Sequence, residues 1–184
     1  MKAIFLLILG GVLVNNYAFE RFLGVSPMLG YSRKADKLLA MGAAVTVVML
    51  LTAALAWPVQ KLLAENSLAY LQLLVFAALV LAVVYLVELL IKLLFHQCMG
   101  VYFPLIALNS AVLGLALDNA ARGYSYGESL AAALGVGLGF MAALLLMNGV
   151  QSRIDEKHIP AAFRGLPVSL LAASIIAMVL VAFK

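Results

Sequence analysis

Residues 102–114, YFPLIALNSAVLG, form an apolar run that is suited to a membrane interior. The run also carries a proline, an Asn-Ser pair and a glycine, which a plain lipid anchor does not need. A second interrupted stretch lies near the start, where Asn15-Asn16 is followed by residues 22–30, FLGVSPMLG. Two interrupted apolar segments, one in each half of a membrane protein, indicate a binding site near the bilayer midplane.

The composition excludes an ordinary soluble domain. Of the 184 residues, 66% are hydrophobic and only 11% are charged, whereas soluble domains carry about a quarter charged residues. The net charge of +4 is too small and too dispersed to indicate nucleic-acid binding. The single cysteine, Cys98, excludes an internal disulfide and a cysteine-ligated cluster built within this chain alone.

The sequence predicts an all-α integral membrane protein with six transmembrane helices, because a backbone in lipid must satisfy its own hydrogen bonds. The predicted segments are residues 3–24, 38–57, 68–94, 101–118, 128–150 and 168–183, of which the first and fourth are interrupted. The links are too short for a separate soluble domain, so residues 1–184 form a single membrane domain. We expect the first apolar run to be retained, because no small-residue cleavage site follows it.

The distribution of Lys and Arg predicts the orientation. The odd-numbered links, together with the end of the third segment, hold seven of these residues, and the other side holds four. Because cytoplasmic links carry the excess of positive charge, we expect both termini to lie outside the cell.

The two halves of the chain resemble each other at an offset of 93 residues (109 − 16 = 93). This offset places Asn16 on Asn109, and Gly-Tyr-Ser at 30–32 on Gly-Tyr-Ser at 123–125. Each half has three predicted helices, so the second half enters the membrane from the opposite face, as in an inverted repeat. Chance matching in apolar sequence is the alternative. The predicted repeats are residues 1–91 and 94–184.

Small polar residues in the interrupted segments are the first candidates for function. Buried asparagines are costly without hydrogen bonds, so they either hold broken backbone around a midplane site or join neighbouring helices. The Ser-Pro and Asn-Ser pairs mark predicted helix breaks, where serines commonly cap backbone groups. The residues concerned are Asn15, Asn16, Ser26, Pro27, Asn109 and Ser110.

Charged residues in or near the membrane form a second group. Glu88 and Asp118 each precede a basic residue by four positions, Lys92 and Arg122, which predicts ion pairs along a helix. The alternative for both acids is a proton or ion relay. The glycines of the fifth segment predict close helix packing. They are Gly127, Gly135, Gly137, Gly139 and Gly149.

Three stretches carry a resemblance to a known family. They are NNYAFERFLG with SPMLGYSRK (15–24 and 26–34), FPLI with NSAVLG (103–106 and 109–114), and PAAFRGLP (160–167). They resemble the family of membrane subunits that comprises RnfA, RnfE, NqrD and NqrE. The double asparagine and the Phe-Arg-Gly link favour its RnfA branch.

The resemblance implies that the chain works within a multi-subunit complex in a prokaryotic inner membrane. Such a complex couples electron flow between ferredoxin and NAD to the movement of Na⁺ or H⁺. The resemblance also implies an inverted paralogous partner of the RnfE type. The two subunits would share a 2Fe-2S cluster at the helix breaks, near Gly24, Pro27 and Asn109, with two cysteines from each of them. The chain would not be an enzyme alone.

The chain departs from the family at the cluster ligands, because Ser26 and Ser110 stand where the family has cysteines. Iron–sulfur clusters favour soft thiolates over hydroxyls, and Cys98 lies in the link before the fourth segment. Three accounts stay open: the complex lacks this cluster, serine alkoxides hold an altered cluster, or the serines were introduced into the sequence. The alternative functions are a stand-alone secondary transporter with inverted repeats and a scaffold subunit that has lost its cluster.

Overall fold

The computed structural model describes residues 2–14, 16–25, 35–95, 109–155, 159–160 and 163–181, and throughout these ranges the regular structure is helical. The helices are α1 (Lys2–Leu9), a π-helical turn (Gly10–Val14), α2 (Tyr17–Glu20), α3 (Ala35–Glu65), a 3₁₀ turn (Ala69–Leu71), α4 (Gln72–Phe95), α5 (Ser110–Ala121), α6 (Tyr126–Gln151) and α7 (Leu166–Val181). The prediction of an all-α membrane protein is therefore confirmed for the described residues.

Three helical stretches are long and apolar enough to cross a membrane: Leu38–Glu65, Ala69–Leu90 and Tyr126–Gln151. The apolar helices Ser110–Ala121 and Leu166–Leu180 are shorter. The predicted segments from the second to the sixth thus each contain a helix, although residues 101–108 of the fourth lie outside the described part. That six helices cross the membrane stays a prediction.

Helix α3 is longer than the sequence predicted. Its last turns run through Pro58 to Glu65, where a link was expected, so that expectation was wrong. Proline inside a helix removes a backbone donor and crowds the carbonyl four residues before it, but side chains next to Pro58 hold this end of the helix. Trp57 Nε1 donates to the Tyr124 carbonyl at 3.1 Å, and Gln60 Nε2 donates to the Ala120 carbonyl at 2.9 Å.

The centre of the molecule is the crossing of α3 and α6. Val45 and Met49 of α3 and Phe140 and Leu144 of α6 are almost completely buried in the main apolar cluster. A Cβ atom on Gly137 would lie 2.6 Å from the side chain of Thr46, so the glycine permits the close crossing. Around this pair, α4 packs on α3 and α5, while α7 packs on α6 and α2.

Candidate functional site where two interrupted segments meet

The first segment is interrupted at Asn16. After α1 and the π-helical turn, Asn16 has an extended backbone (φ −72°, ψ 109°), and α2 begins at the next residue. The Asn16 Oδ1 atom accepts a hydrogen bond from the Ala18 N–H at 3.1 Å, which satisfies one of the free donors at a helix start. The predicted interruption of the first segment is therefore confirmed.

The helix α5 of the second half begins in the same way. Asn109 is extended (φ −76°, ψ 103°), and its Oδ1 accepts from the Ala111 N–H at 3.0 Å. Both asparagines are buried, with exposed fractions of 4% for Asn16 and 3% for Asn109. The two residues that the offset of 93 places on each other thus have the same backbone conformation and the same capping bond.

The first segment touches the start of α5 at Gly24. Its N–H donates to the Ser110 hydroxyl at 2.9 Å. Gly24 has a φ of +71°, and a Cβ atom there would lie 2.5 Å from Asn109 Oδ1 and 2.8 Å from the Phe140 ring. Only glycine fits this backbone and this spacing. Gly24, Asn109 and Ser110 therefore lie next to one another.

The amide nitrogens of the two asparagines differ. Asn16 Nδ2 donates to the Gly139 carbonyl of α6 at 2.9 Å and to the Val12 carbonyl at 3.3 Å. Asn109 Nδ2 is buried and has no hydrogen-bond partner among the residues that the structure describes. Asn16 therefore both holds the broken backbone and joins two helices, whereas a midplane site around it stays a prediction.

Glycines of α6 bring the first segment close enough for that bond. A Cβ atom on Gly139 would lie 2.6 Å from the Gly11 carbonyl oxygen, and one on Gly135 would lie 2.8 Å from the Ile8 carbonyl oxygen. The prediction of close packing is confirmed for these two and for Gly137. The two glycines at the helix ends have no atom of the described residues within contact of an added Cβ, so for them the prediction is not borne out within that part of the chain. They are Gly127 and Gly149.

Asp118 pairs with the first segment and not with its predicted partner. Its Oδ2 atom accepts hydrogen bonds from Arg21 Nη1 and from the Tyr17 hydroxyl, both at 2.6 Å. Arg122 instead donates to the Tyr124 hydroxyl at 3.0 Å. The prediction of an Asp118–Arg122 pair was wrong, because spacing along one helix cannot reveal a partner 97 residues away.

Glu88 does pair within its helix. Its Oε1 atom lies 2.7 Å from Lys92 Nζ, so the predicted ion pair is confirmed. A relay role for Glu88 stays a prediction. Three other candidates lie outside the described residues: Asn15, Ser26 and Pro27.

Sequence reasoning missed two polar residues near these contacts. Tyr17 was not singled out, although the ring lies next to Asn16 and carries the hydroxyl that reaches Asp118. Asn119 is buried, and its Nδ2 donates to the Ser129 hydroxyl at 2.7 Å, which ties α5 to α6. Both residues stand in the sequence directly after a residue that was singled out, and that proximity was the available signal.

Known proteins are similar to this chain over nearly its full length. The model of the Rnf-Nqr family, described as "Rnf-Nqr subunit, membrane protein", matches residues 4–184. The chain belongs to this Rnf-Nqr family. A protein of Syntrophotalea carbinolica, named as part of an ion-translocating oxidoreductase complex, is 41% identical over 100% of the chain and 97% of that protein. A protein of Acetobacterium woodii, named as part of a Na⁺-translocating ferredoxin:NAD⁺ oxidoreductase complex, is 40% identical over the same shares.

The iron–sulfur cluster that the Rnf-Nqr resemblance implies does not fit the residues present. At the meeting point of the two segments the side chain is the Ser110 hydroxyl, which accepts a hydrogen bond from Gly24. An alcohol oxygen is a hard ligand that keeps its proton at neutral pH, whereas these clusters are held by thiolates. The second position, Ser26, lies outside the described residues, but the sequence supplies a hydroxyl there too. No electron-transfer step through a cluster on this chain follows from these residues.

Proposed function

We propose that the chain is a core membrane subunit of an Rnf-type complex that couples electron transfer between ferredoxin and NAD to the translocation of Na⁺ or H⁺. In this role it pairs with an inverted paralogous subunit of the RnfE type in a prokaryotic inner membrane, with both termini outside. Its own contribution is the midplane contact between two interrupted segments. The observation that carries the proposal is the hydrogen bond from Gly24 to Ser110, next to Asn109.

The names of the relatives support the reaction. They describe parts of ion-translocating oxidoreductase complexes, one of them a Na⁺-translocating ferredoxin:NAD⁺ oxidoreductase. The alignment covers the whole chain and 97% of those proteins, so the similarity is not confined to one segment.

The helix packing supports an inverted repeat. At the offset of 93 residues α3 corresponds to α6, and α4 corresponds to α7. In the first half α4 packs on α3 and on α5 of the other half, and in the second half α7 packs on α6 and on α2 of the other half. The matching caps at Asn16 and Asn109 follow the same correspondence.

The polar groups near the first segment support a protein partner over lipid alone. Arg21 and Ser110 are exposed on this chain, although Ser110 begins a helix inside an apolar segment. Exposed polar groups at membrane depth are costly unless a protein surface or a water-filled space faces them. A second membrane subunit provides such a surface.

A scaffold subunit that has lost its cluster is the second candidate. The hydroxyl at position 110 favours it, because an alcohol oxygen is a poor ligand for iron. In this version the electron path runs through other subunits, while this chain holds the membrane core together.

Affinity purification of the chain from its native membrane tests the proposal. We expect redox subunits and a paralogous membrane protein to co-purify in fixed proportion, and the complex to reduce NAD with ferredoxin. A chain that purifies without partners and carries out a complete transport cycle would rule the proposal out. Iron analysis of the two paralogous membrane subunits, separated from the redox subunits, distinguishes the candidates: iron bound at this pair excludes the scaffold.

A further inference from the structure

A cavity of about 40 Å³ lies beside the ion pair of Asp118. Helix α1 and the π-helical turn line it with Leu7 and Gly11, and α6 lines it with Ala132 and Val136. Its other lining residues are polar: Tyr17, Asp118, Asn119, Arg122 and Tyr124. The cavity thus has an apolar wall on α1, the π-helical turn and α6, and a polar wall formed by α2, the end of α5 and the link that follows it.

The hydrogen bonds of Asp118 leave one carboxylate oxygen available. Tyr17 and Arg21 both donate to Oδ2, and no hydrogen bond to Oδ1 comes from any residue in the described ranges. A half-buried carboxylate oxygen is costly without a donor. Tyr124 also keeps its hydroxyl hydrogen for another acceptor, because its oxygen accepts from Arg122.

Charge and size decide what the cavity can hold. Arg21 and Arg122 are set against Asp118 and, beside Arg21, Glu20, so the charges around the cavity nearly cancel and favour neither a resting cation nor an anion. The available carboxylate oxygen disfavours an anion. A neutral molecule that both donates and accepts hydrogen bonds satisfies Asp118 and Tyr124 together, and the volume holds roughly two or three water molecules.

We propose that this cavity is a water-filled inlet that gives Asp118 aqueous contact within the membrane from one side only. The open side is the one that bears the α5–α6 link, because Arg122 is exposed there and Tyr124 is half-buried. The inlet ends at the residue that holds the first interrupted segment, so water reaches the Arg21–Asp118 pair. This inference does not depend on the proposed function.

Cysteine labelling in the native membrane tests the inlet. The variants Ala132→Cys and Val136→Cys are each expressed in cells as part of the full complex. In both, Cys98 is replaced by serine. Ag⁺, a membrane-impermeant ion close to water in size, reacts with a hydrated thiolate and hardly at all with a thiol in apolar surroundings, and its reaction is measured as protection from a maleimide added after unfolding. We expect both cysteines to react about tenfold faster than Ala133→Cys, the next residue of α6, which is completely buried in the core.

Labelling from one face of the membrane, in intact cells or in inverted vesicles but not in both, supports the inlet and also reports the orientation. Equal labelling of residues 132, 136 and 133 overturns the proposal, as does labelling from both faces. If Ala132→Cys fails to accumulate, Val136→Cys carries the test. Filling the cavity with Ala132→Leu in the Val136→Cys background is expected to slow labelling about tenfold, and an unchanged rate also overturns the proposal.

Discussion

The two capped asparagines begin their helices alike and differ in what the rest of each side chain does. Asn16 and Asn109 share an extended backbone, burial and a bond from Oδ1 to the N–H two residues on. Asn16 also donates from Nδ2 to the Gly139 carbonyl, 123 residues away. Asn109 Nδ2 has no acceptor within the described ranges, and the side chain lies against Gly24 through Oδ1 instead.

The difference separates a local requirement from a tertiary one. Capping needs only an oxygen near the helix start, so each asparagine satisfies it by itself. A bond between helices also needs a partner carbonyl brought near, and the glycines of α6 provide that for the first segment. The first segment is therefore fixed by α6, whereas the start of α5 is fixed by its contact with Gly24. Substitutions on the two sides should therefore lower the free energy of unfolding by different amounts.

The largest effect is expected at Gly139. Leucine there places a Cβ atom 2.6 Å from the Gly11 carbonyl oxygen, so the first segment must move away from α6 and Asn16 loses its acceptor. We expect a loss of roughly 3 kcal/mol in the free energy of unfolding, at the top of the usual range for overpacking. Unfolding of the purified protein in a denaturing-detergent titration measures it. The matched control is Gly149→Leu, where an added Cβ meets no atom of the described residues, and equal losses would contradict the account.

Gly24→Ala tests the other side of the comparison. Alanine at a φ of +71° costs about 1–2 kcal/mol for the backbone alone. Its Cβ atom would also lie 2.5 Å from Asn109 Oδ1, which raises the expected total to roughly 2–3 kcal/mol. Gly123→Ala is the control, because Gly123 has a φ of +62° and an added Cβ there would meet no atom in the described part of the chain. If Gly24→Ala loses no more free energy of unfolding than Gly123→Ala in the same titration, the contact between Gly24 and Asn109 is contradicted.

Serine at each asparagine isolates the amide nitrogen. It keeps an oxygen for the cap and removes Nδ2. Asn16→Ser therefore loses a buried hydrogen bond to Gly139, and we expect it to be about 1 kcal/mol less stable than Asn109→Ser. Paired unfolding titrations of the two variants measure the difference. A larger loss at position 109 would mean that Asn109 Nδ2 has an essential acceptor.

The sequence predicted the fold class, the interruption of the first segment and the correspondence of Asn16 in the first half with Asn109 in the second. These depend on local signals, such as polar pairs in apolar runs and a repeated spacing. It did not predict the Arg21–Asp118 pair, because periodicity along one helix contains no information about a distant segment. It also treated all the glycines of the fifth segment alike. Only tertiary packing distinguishes Gly139, which touches backbone, from Gly149, which does not.

The smallest effects are expected at the two ion pairs. Asp118→Asn weakens a bond between the interrupted segments, and Glu88→Gln weakens a pair within one helix. We expect about 1 kcal/mol at Asp118, which is partly desolvated, and about 0.3–0.5 kcal/mol at Glu88, the usual value for such helical pairs. Thermal unfolding at low and high salt measures both. A greater loss at Glu88 than at Asp118 would contradict the tertiary role of Asp118.

Cross-linking between the first segment and α5 tests the meeting of the two segments most directly. A Cβ atom on Gly114 would lie 2.8 Å from Leu23 Cδ1, so the side chain of residue 23 reaches position 114. In a background without Cys98, we predict that a short bifunctional thiol reagent in the native membrane links cysteines placed at residues 23 and 114, as detected by mass spectrometry. Cysteines at 23 and 127 should stay unlinked. Failure of the first pair to link, or equal linking of both pairs, would contradict the account.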